Sequence, residues 1–167
     1  MKKNSFYVIL FFIFLLPLYA NEPLISKKKA PLSVALPLLE KIDKHAIVIG
    51  NGPTHMYAFI DPLCPRSQEF VEMILENRKM QKLYTYHFFY YELKRFDSAK
   101  IIGTIYSQND PLKMMKKVMV DKREFTVLDN FSTMINKKVS EISKIAEKLD
   151  IYKRPYIFVV KPQKGGQ

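Results

Sequence analysis

Apolar residues run through this chain in three distinct rhythms. The first is unbroken: Phe6 to Leu16 holds only apolar residues and one tyrosine. From Val34 the spacing becomes helical, with Val34, Leu36, Leu38, Leu39 and Ile42 predicting a short amphipathic helix over Val34–Lys44 despite Pro37 near its start. Ala46–Ile49 is β-branched, Gly50-Asn51-Gly52-Pro53 is strong turn chemistry, and His55–Ile60 resumes an extended apolar pattern, so this stretch predicts a β-hairpin. After a short Pro-rich segment, Phe70, Val71, Ile74 and Leu75 recur at helical spacing to about Asn77. The aromatic-dense run Leu83–Tyr91 predicts a buried strand. Asp97–Tyr106, Pro111–Val120 and Val139–Leu149 read as helices, with Asp110 as a cap and Pro111 at the first helical position. Tyr156–Val160 is a last short β-rich run. The order β-β-α-β-α-α-α-β puts helices between strands, which is an α/β pattern.

The unbroken run changes the picture of the whole chain. Lys2 and Lys3 precede it, Pro17 breaks it, and Leu18-Tyr19-Ala20 ends on a small residue before Asn21. That layout reads as a secretory signal peptide over residues 1–20, and the run is too short to span a bilayer comfortably. The mature protein is therefore expected outside the cytoplasm, in the periplasm, with membrane contact only through an uncleaved signal segment. Residues 21–44 are expected to be a lead-in and short helix, and residues 45–167 one folded domain, since 167 residues leave no room for two.

The net charge of +11 invites an anionic partner. The lysines at 27–29, 113–117 and 137–138, however, are scattered beside helical apolar positions and read as solvated faces. Export also argues against nucleic acid as a partner.

The sharpest compositional fact is the cysteine count, which is 1. In an oxidising compartment cysteines usually pair, so a lone one is a reactive thiol, an intermolecular link or a small buried hydrophobe. Cys64 stands where a predicted strand gives way to a helix, between Pro62 and Pro65. The free amides and dipole of that helix start, with Arg66 two residues on, favour thiolate over thiol, and thiolate is the reactive form.

The segment Phe59-Ile60-Asp61-Pro62-Leu63-Cys64-Pro65-Arg66-Ser67 resembles the active-site segment of periplasmic thiol-disulfide isomerases of the DsbC/DsbG group, in which an aromatic-x-Asp stretch leads into Cys-x-x-Cys. Ile105 to Asp110 followed by Leu112–Met119 is similar to that group's helical insertion, and Arg154-Pro155 before Tyr156–Val160 matches its cis-proline. The resemblance covers residues 45 to 165 and implies a thioredoxin-like fold with a helical insertion. It implies Cys64, Ser67 and Pro155 as catalytic positions and Arg66 and Arg154 as residues that tune the thiolate, with no cofactor and no metal.

Three departures qualify that picture. Ser67 stands where the second, resolving cysteine belongs; its hydroxyl can hydrogen-bond a thiolate but cannot close a disulfide. Arg154 replaces a small or hydroxyl-bearing residue before the proline, and its cation would crowd or favour the thiolate. The family fold continues beyond Gly166 with one more strand and a terminal helix. The expected activity is thus monothiol disulfide exchange or isomerisation, with exported client proteins bearing disulfides or thiols and an external thiol reductant as partners. The alternative is a redox-inactive binding or chaperone-like domain.

His45, His55 and His87 lack ligand spacing and read as ordinary strand residues; a Cys64–His87 catalytic pair is a minor option. Met114, Met115, Met119 and Met134 read as core filler on helices.

Overall fold

Helix α1 (Leu32–Ile42) opens the structure, a computed structural model that describes residues 29–162. The signal peptide assigned to residues 1–20, the lead-in up to residue 28 and residues 163–167 lie outside the described residues. α1 buries Ala35, Leu39 and Ile42, an i, i+4, i+7 stripe that meets the same core as the sheet. A single 3₁₀ turn, Asp43–His45, then leads into β1 (Ile47–Ile49).

The expected hairpin does not form. β1 and β2 (Thr54–Ile60) are separated by β3 (Tyr84–Tyr90), which pairs antiparallel with β1 and parallel with β2; β4 (Tyr156–Val160) pairs antiparallel with β2, giving the order β1-β3-β2-β4. The turn residues explain the difference. The Gly50–Pro53 connection passes across the start of β3 instead of folding back on itself. Asn51 N–H donates to the Gln81 carbonyl at 2.9 Å and Thr85 Oγ1 donates to the Gly52 carbonyl at 2.7 Å. A Cβ on Gly52 would lie 2.1 Å from the Leu83 carbonyl carbon, and Gly50 sits at φ +86°. These glycines serve close backbone approach, not a two-residue turn.

β3 owes its central place to its composition. Thr85 to Tyr90 are all buried, as a strand covered on both faces requires. Tyr86, Phe88 and Tyr90 point to one side, where they meet Phe70 of α2 (Pro65–Glu76), Tyr106 of α4 (Ala99–Tyr106) and Met119 of α5 (Pro111–Met119). His87 and Phe89 point to the other, stacking with Tyr57 and Phe59 of β2. Each fully buried aromatic contributes roughly 1.5–3 kcal/mol.

The strand over Tyr156–Val160 and the helices starting at Pro111 and ending at Tyr106 lie where periodicity predicted them. Asp110 caps α5, its Oδ1 accepting from Lys113 N–H at 2.9 Å. Two elements differ. A short helix α3 (Arg78–Leu83), capped by Asn77, fills the stretch between the predicted helix and strand and takes Leu83 from the strand. α6 (Thr133–Lys148) starts well before Val139, because Ser132 caps it and Ile135 is its one buried residue before Val139, too little to register as an apolar stripe. His45 ties the turn after α1 to α6 through Glu141, Nε2···Oε2 2.7 Å. Of the methionines read as filler, Met115 and Met119 are fully buried, while Met134 is 71% exposed on α6. Among the described residues no helix is long and apolar enough to cross a membrane.

Candidate active site

Cys64 is the N-cap of α2, in extended conformation, and Pro65 is its first helical residue. Proline suits this place because its missing N–H has no acceptor there in any case. The Cys64 carbonyl accepts the first helical bond, from Gln68 N–H at 3.0 Å, while its own N–H donates to the Asp61 carbonyl at 3.2 Å. Gln68 Nε2 closes the corner from below by donating to the Pro62 carbonyl at 2.8 Å. The thiol is thus held at a fixed exit from β2, beside the unpaired amides of a helix start.

Opposite it stands the loop before β4. The Arg154–Pro155 peptide bond is cis, and Cys64 Sγ lies 3.8 Å from the Arg154 carbonyl oxygen, the thiol donating. The sequence positions of Cys64, Arg154 and Pro155, some ninety residues apart, therefore converge.

The Arg154 side chain does something the sequence did not indicate. It is drawn into a set of backbone carbonyls and is 5% exposed. Its Nε donates to Tyr91 O at 2.7 Å, Nη2 to Glu92 O at 3.1 Å, and Nη1 to Ile151 O at 3.3 Å and Lys153 O at 2.8 Å. The guanidinium also stacks on the Tyr91 ring at 4.1 Å. Burial lowers its pKa to about 10, against the opposing pull of groups that include Asp61 and Cys64, so it stays cationic at neutral pH. Arg154 fastens the end of β3 to the approach to β4, and its carbonyl is the group that accepts from the thiol.

Ser67 is fully buried, and its Oγ accepts the Asp61 N–H at 3.3 Å. Among the described residues it makes no hydrogen bond to Cys64. The chain direction at the corner explains this: Ser67 lies one helical turn in and faces back toward β2. Arg66, by contrast, is exposed beside the cysteine.

Asp61 stood in the sequence motif without an assigned role. It is fully buried at the end of β2; Oδ1 accepts Leu63 N–H at 2.9 Å, and Oδ2 accepts Leu93 N–H at 2.6 Å and the Ser98 hydroxyl at 2.8 Å. One carboxylate thereby ties the cysteine corner to the loop after β3 and to the start of α4. A carboxylate closing an apolar strand just before a proline was the available signal, because a buried charge needs dedicated donors.

The minor option of a Cys64–His87 pair is overturned. His87 sits mid-strand opposite Tyr57, and both its ring nitrogens are engaged, Nε2 with His55 Nδ1 at 2.9 Å and Nδ1 with Asp43 Oδ1 at 2.6 Å. Among the described residues no group of three His, Cys, Asp or Glu side chains could hold a metal ion.

An open cleft of about 570 Å³ lies over the cysteine. Its walls come from the start of α2, from the loop Leu93–Arg95 after β3 and from Tyr152–Arg154 before β4.

This architecture has solved counterparts. The catalytic domain of Proteus mirabilis ScsC is 18% identical with a TM-score of 0.60, the match covering 77% of this chain and 84% of that one. A disulfide interchange protein from Neisseria gonorrhoeae is 21% identical with a TM-score of 0.53, covering 73% of this chain and 90% of that one. Helicobacter pylori DsbG is 17% identical with a TM-score of 0.54, covering 77% of this chain and 61% of that one. The fold is thioredoxin-like. No family model and no curated protein matches the sequence. The end of α4, the turn after it and α5, between β3 and β4, hold residues 105–110 and 112–119, which resemble the helical insertion.

Proposed function

We propose that this chain is an exported, monothiol disulfide-exchange protein of the DsbC/DsbG kind, acting through Cys64 in the periplasm. The observation that carries the reading is the meeting of Cys64, at the start of α2, with the Arg154 carbonyl next to cis Pro155 at the edge of an open cleft. The names of similar structures, among them a disulfide interchange protein and a DsbG, support it. The order of basic, apolar and small residues in residues 1–20 supports the location.

In this reading the Cys64 thiolate attacks one sulfur of a partner disulfide. The partner's S–S bond breaks, a Cys64–partner disulfide forms, and the released thiolate takes a proton from water. The helix start, Arg66 and the charge of Arg154 stabilise the attacking thiolate. Pro155 and the Arg154 carbonyl border the sulfur on its far side. Ser67 cannot supply a second sulfur, so release depends on an external thiol or on reshuffling within the client.

A redox-silent binding domain has one observation in its favour: Cys64 is only 1% exposed. Alkylation of Cys64 as a function of pH, followed by mass spectrometry, decides between the two. Rapid modification at neutral pH and mixed disulfides that vanish in Cys64→Ala support exchange. A thiol that reacts only after unfolding leaves the binding domain standing.

A further inference from the structure

The walls of the Cys64 cleft carry one sign of charge. Arg66, Lys94, Arg95, Lys153 and Arg154 line it, from three separate segments, and no carboxylate does. Two acids that adjoin the lining segments are committed elsewhere: Asp61 to Leu63, Leu93 and Ser98, and the Glu92 carboxylate to Ala99 N–H at 3.1 Å. Among the described residues, Arg66, Lys94, Arg95 and Lys153 have no ion-pair partner, and all four are exposed. The basic surface continues past the cysteine. A second hollow of about 280 Å³ shares Tyr152 and Lys153 with the cleft and adds Lys29. Lys29 lies over the Phe158 ring at 4.5 Å and donates to the Ile157 carbonyl; its pKa is lowered first by burial and then by the charge of Lys153.

Like charges crowded around a concave site, with no neutralising acid, raise the local concentration of anions. Among the described residues some cations elsewhere are paired, Lys100 with Asp129 and Lys44 with Glu141, and others, such as Lys113 and Lys116, stand singly on exposed helix faces. What sets the cleft apart is that its cations converge from three segments on one hollow, around the chain's one cysteine.

We propose that the cleft selects its disulfide partner by charge, taking disulfides whose sulfur is flanked by carboxylates. The inference rests on the exchange reading above and names the substrate class of that site. The chemistry suits an anionic low-mass disulfide such as glutathione disulfide and an acidic client segment alike. In either case Cys64 takes one half of the partner as a mixed disulfide and the other half leaves as a thiolate that water protonates; one disulfide is traded for another, with no net oxidation.

The test uses the full mature chain and three disulfides: glutathione disulfide (anionic), bis(2-hydroxyethyl) disulfide (neutral) and cystamine (cationic). Adduct formation is followed by mass spectrometry, with each rate divided by the rate on the same chain unfolded in urea, which removes intrinsic leaving-group differences. The anionic disulfide should be favoured over the cationic one by about tenfold or more, and high salt should flatten the ratio. The triple variant K94E/R95E/K153E should abolish or invert the preference, while K113E/K117E on α5 should leave it. A further pair, disulfide-linked peptides with Glu or with Lys flanks, identifies the source. A larger preference within the peptide pair indicates acidic clients, and a larger one within the small molecules indicates a low-mass thiol. If all three disulfides react with equal normalised rates, or the preference survives K94E/R95E/K153E, the inference is overturned and the exchange reading stands. If none reacts faster with wild type than with Cys64→Ala, both fall.

Discussion

Arg154 contacts Cys64 through its backbone: the carbonyl oxygen lies 3.8 Å from Sγ while the guanidinium donates to four other carbonyls. The side chain and the carbonyl of one residue thus have separate tasks. The guanidinium holds the loops at Tyr91–Glu92 and Ile151–Lys153 together, and that union fixes where the carbonyl stands.

Arg154→Met should therefore act first on stability. It keeps much of the apolar stem but leaves the Tyr91, Glu92, Ile151 and Lys153 carbonyls without their donor. Hydrogen bonds to charged groups contribute about 1.5–3 kcal/mol each, but several of these carbonyls regain water when the loop loosens. A net loss of about 2–4 kcal/mol is expected, read as a lower midpoint in urea unfolding. Arg154→Lys should recover little, because one ammonium cannot span the same fork of acceptors. A loss under about 0.5 kcal/mol would mean the two loops are held by other contacts.

How much of this was legible beforehand depended on whether the signal was local. The cysteine corner was legible because a strand end, two prolines and a helix start are all written within Phe59–Ser67. Pro155 before a β-rich run was legible for the same reason. The place of β1 was not, because Gly50-Asn51-Gly52-Pro53 carries the chemistry of a tight turn and also of a close crossing, and only the position of Leu83–Thr85 separates the two. The Arg154 clasp depends on carbonyls some sixty residues away, which no local pattern records. The cleft's charge was hidden likewise. Arg66, Lys94, Arg95 and Lys153 are unremarkable in sequence and become a cluster only when three segments meet.

Ser67→Cys should complete an exchange cycle at a structural cost. The new thiol stands one helical turn from Cys64, where it can displace a mixed disulfide and close an internal one. It also removes the oxygen that accepts Asp61 N–H in a fully buried site, so a loss of about 1 kcal/mol is expected alongside the gain in turnover. Insulin reduction in the presence of a small thiol checks the gain. Adducts that persist in Ser67→Cys as long as in wild type would show that the buried position is out of reach.

Stability should fall as the solution is acidified through the imidazole range. Burial lowers the His87 pKa, with His55 adding to the effect and Asp43 opposing it. The folded state then binds fewer protons than the unfolded chain, whose histidines titrate near pH 6.5. The contribution is complete above that pH, is lost as pH drops from there toward the depressed folded value, and levels off below it. His87→Gln should flatten the slope of unfolding free energy between about pH 7 and pH 5.5, whatever it does to the absolute value. An unchanged slope would assign the acid sensitivity to another group.

Tyr86 offers a gain. Its ring is fully buried in β3 among Phe70, Tyr84 and Phe88, but its hydroxyl has no hydrogen-bond partner among the described residues. An unsatisfied buried hydroxyl costs about 1–3 kcal/mol, so Tyr86→Phe should stabilise the protein by about 1 kcal/mol. Calorimetry should show a higher Tm. A lower one would mean that water reaches the hydroxyl.

Asp61 should couple stability to reactivity in a way the other positions do not. Its carboxylate accepts from three donors, two of them backbone N–H groups that flank the cleft from opposite sides: Leu63, beside Cys64, and Leu93, in the facing wall. Asp61→Asn keeps the shape but presents an amide NH₂ in place of one oxygen. On one side a donor then faces a donor, and no rotation of the amide avoids this, because both oxygens were acceptors. The cost should be about 2–3 kcal/mol, and the release should fall on Leu93 and the loop that carries Lys94 and Arg95. Asp61→Asn is therefore expected both to unfold earlier and, while still folded, to expose Cys64 more readily to a neutral alkylating agent. Ser98→Ala removes only the third donor, so it should lower stability by about 1 kcal/mol and leave alkylation unchanged. Equal effects of the two variants on alkylation would mean that Asp61 acts through the start of α4 alone, and the direct tie between the cysteine corner and the cleft wall would be dispensable.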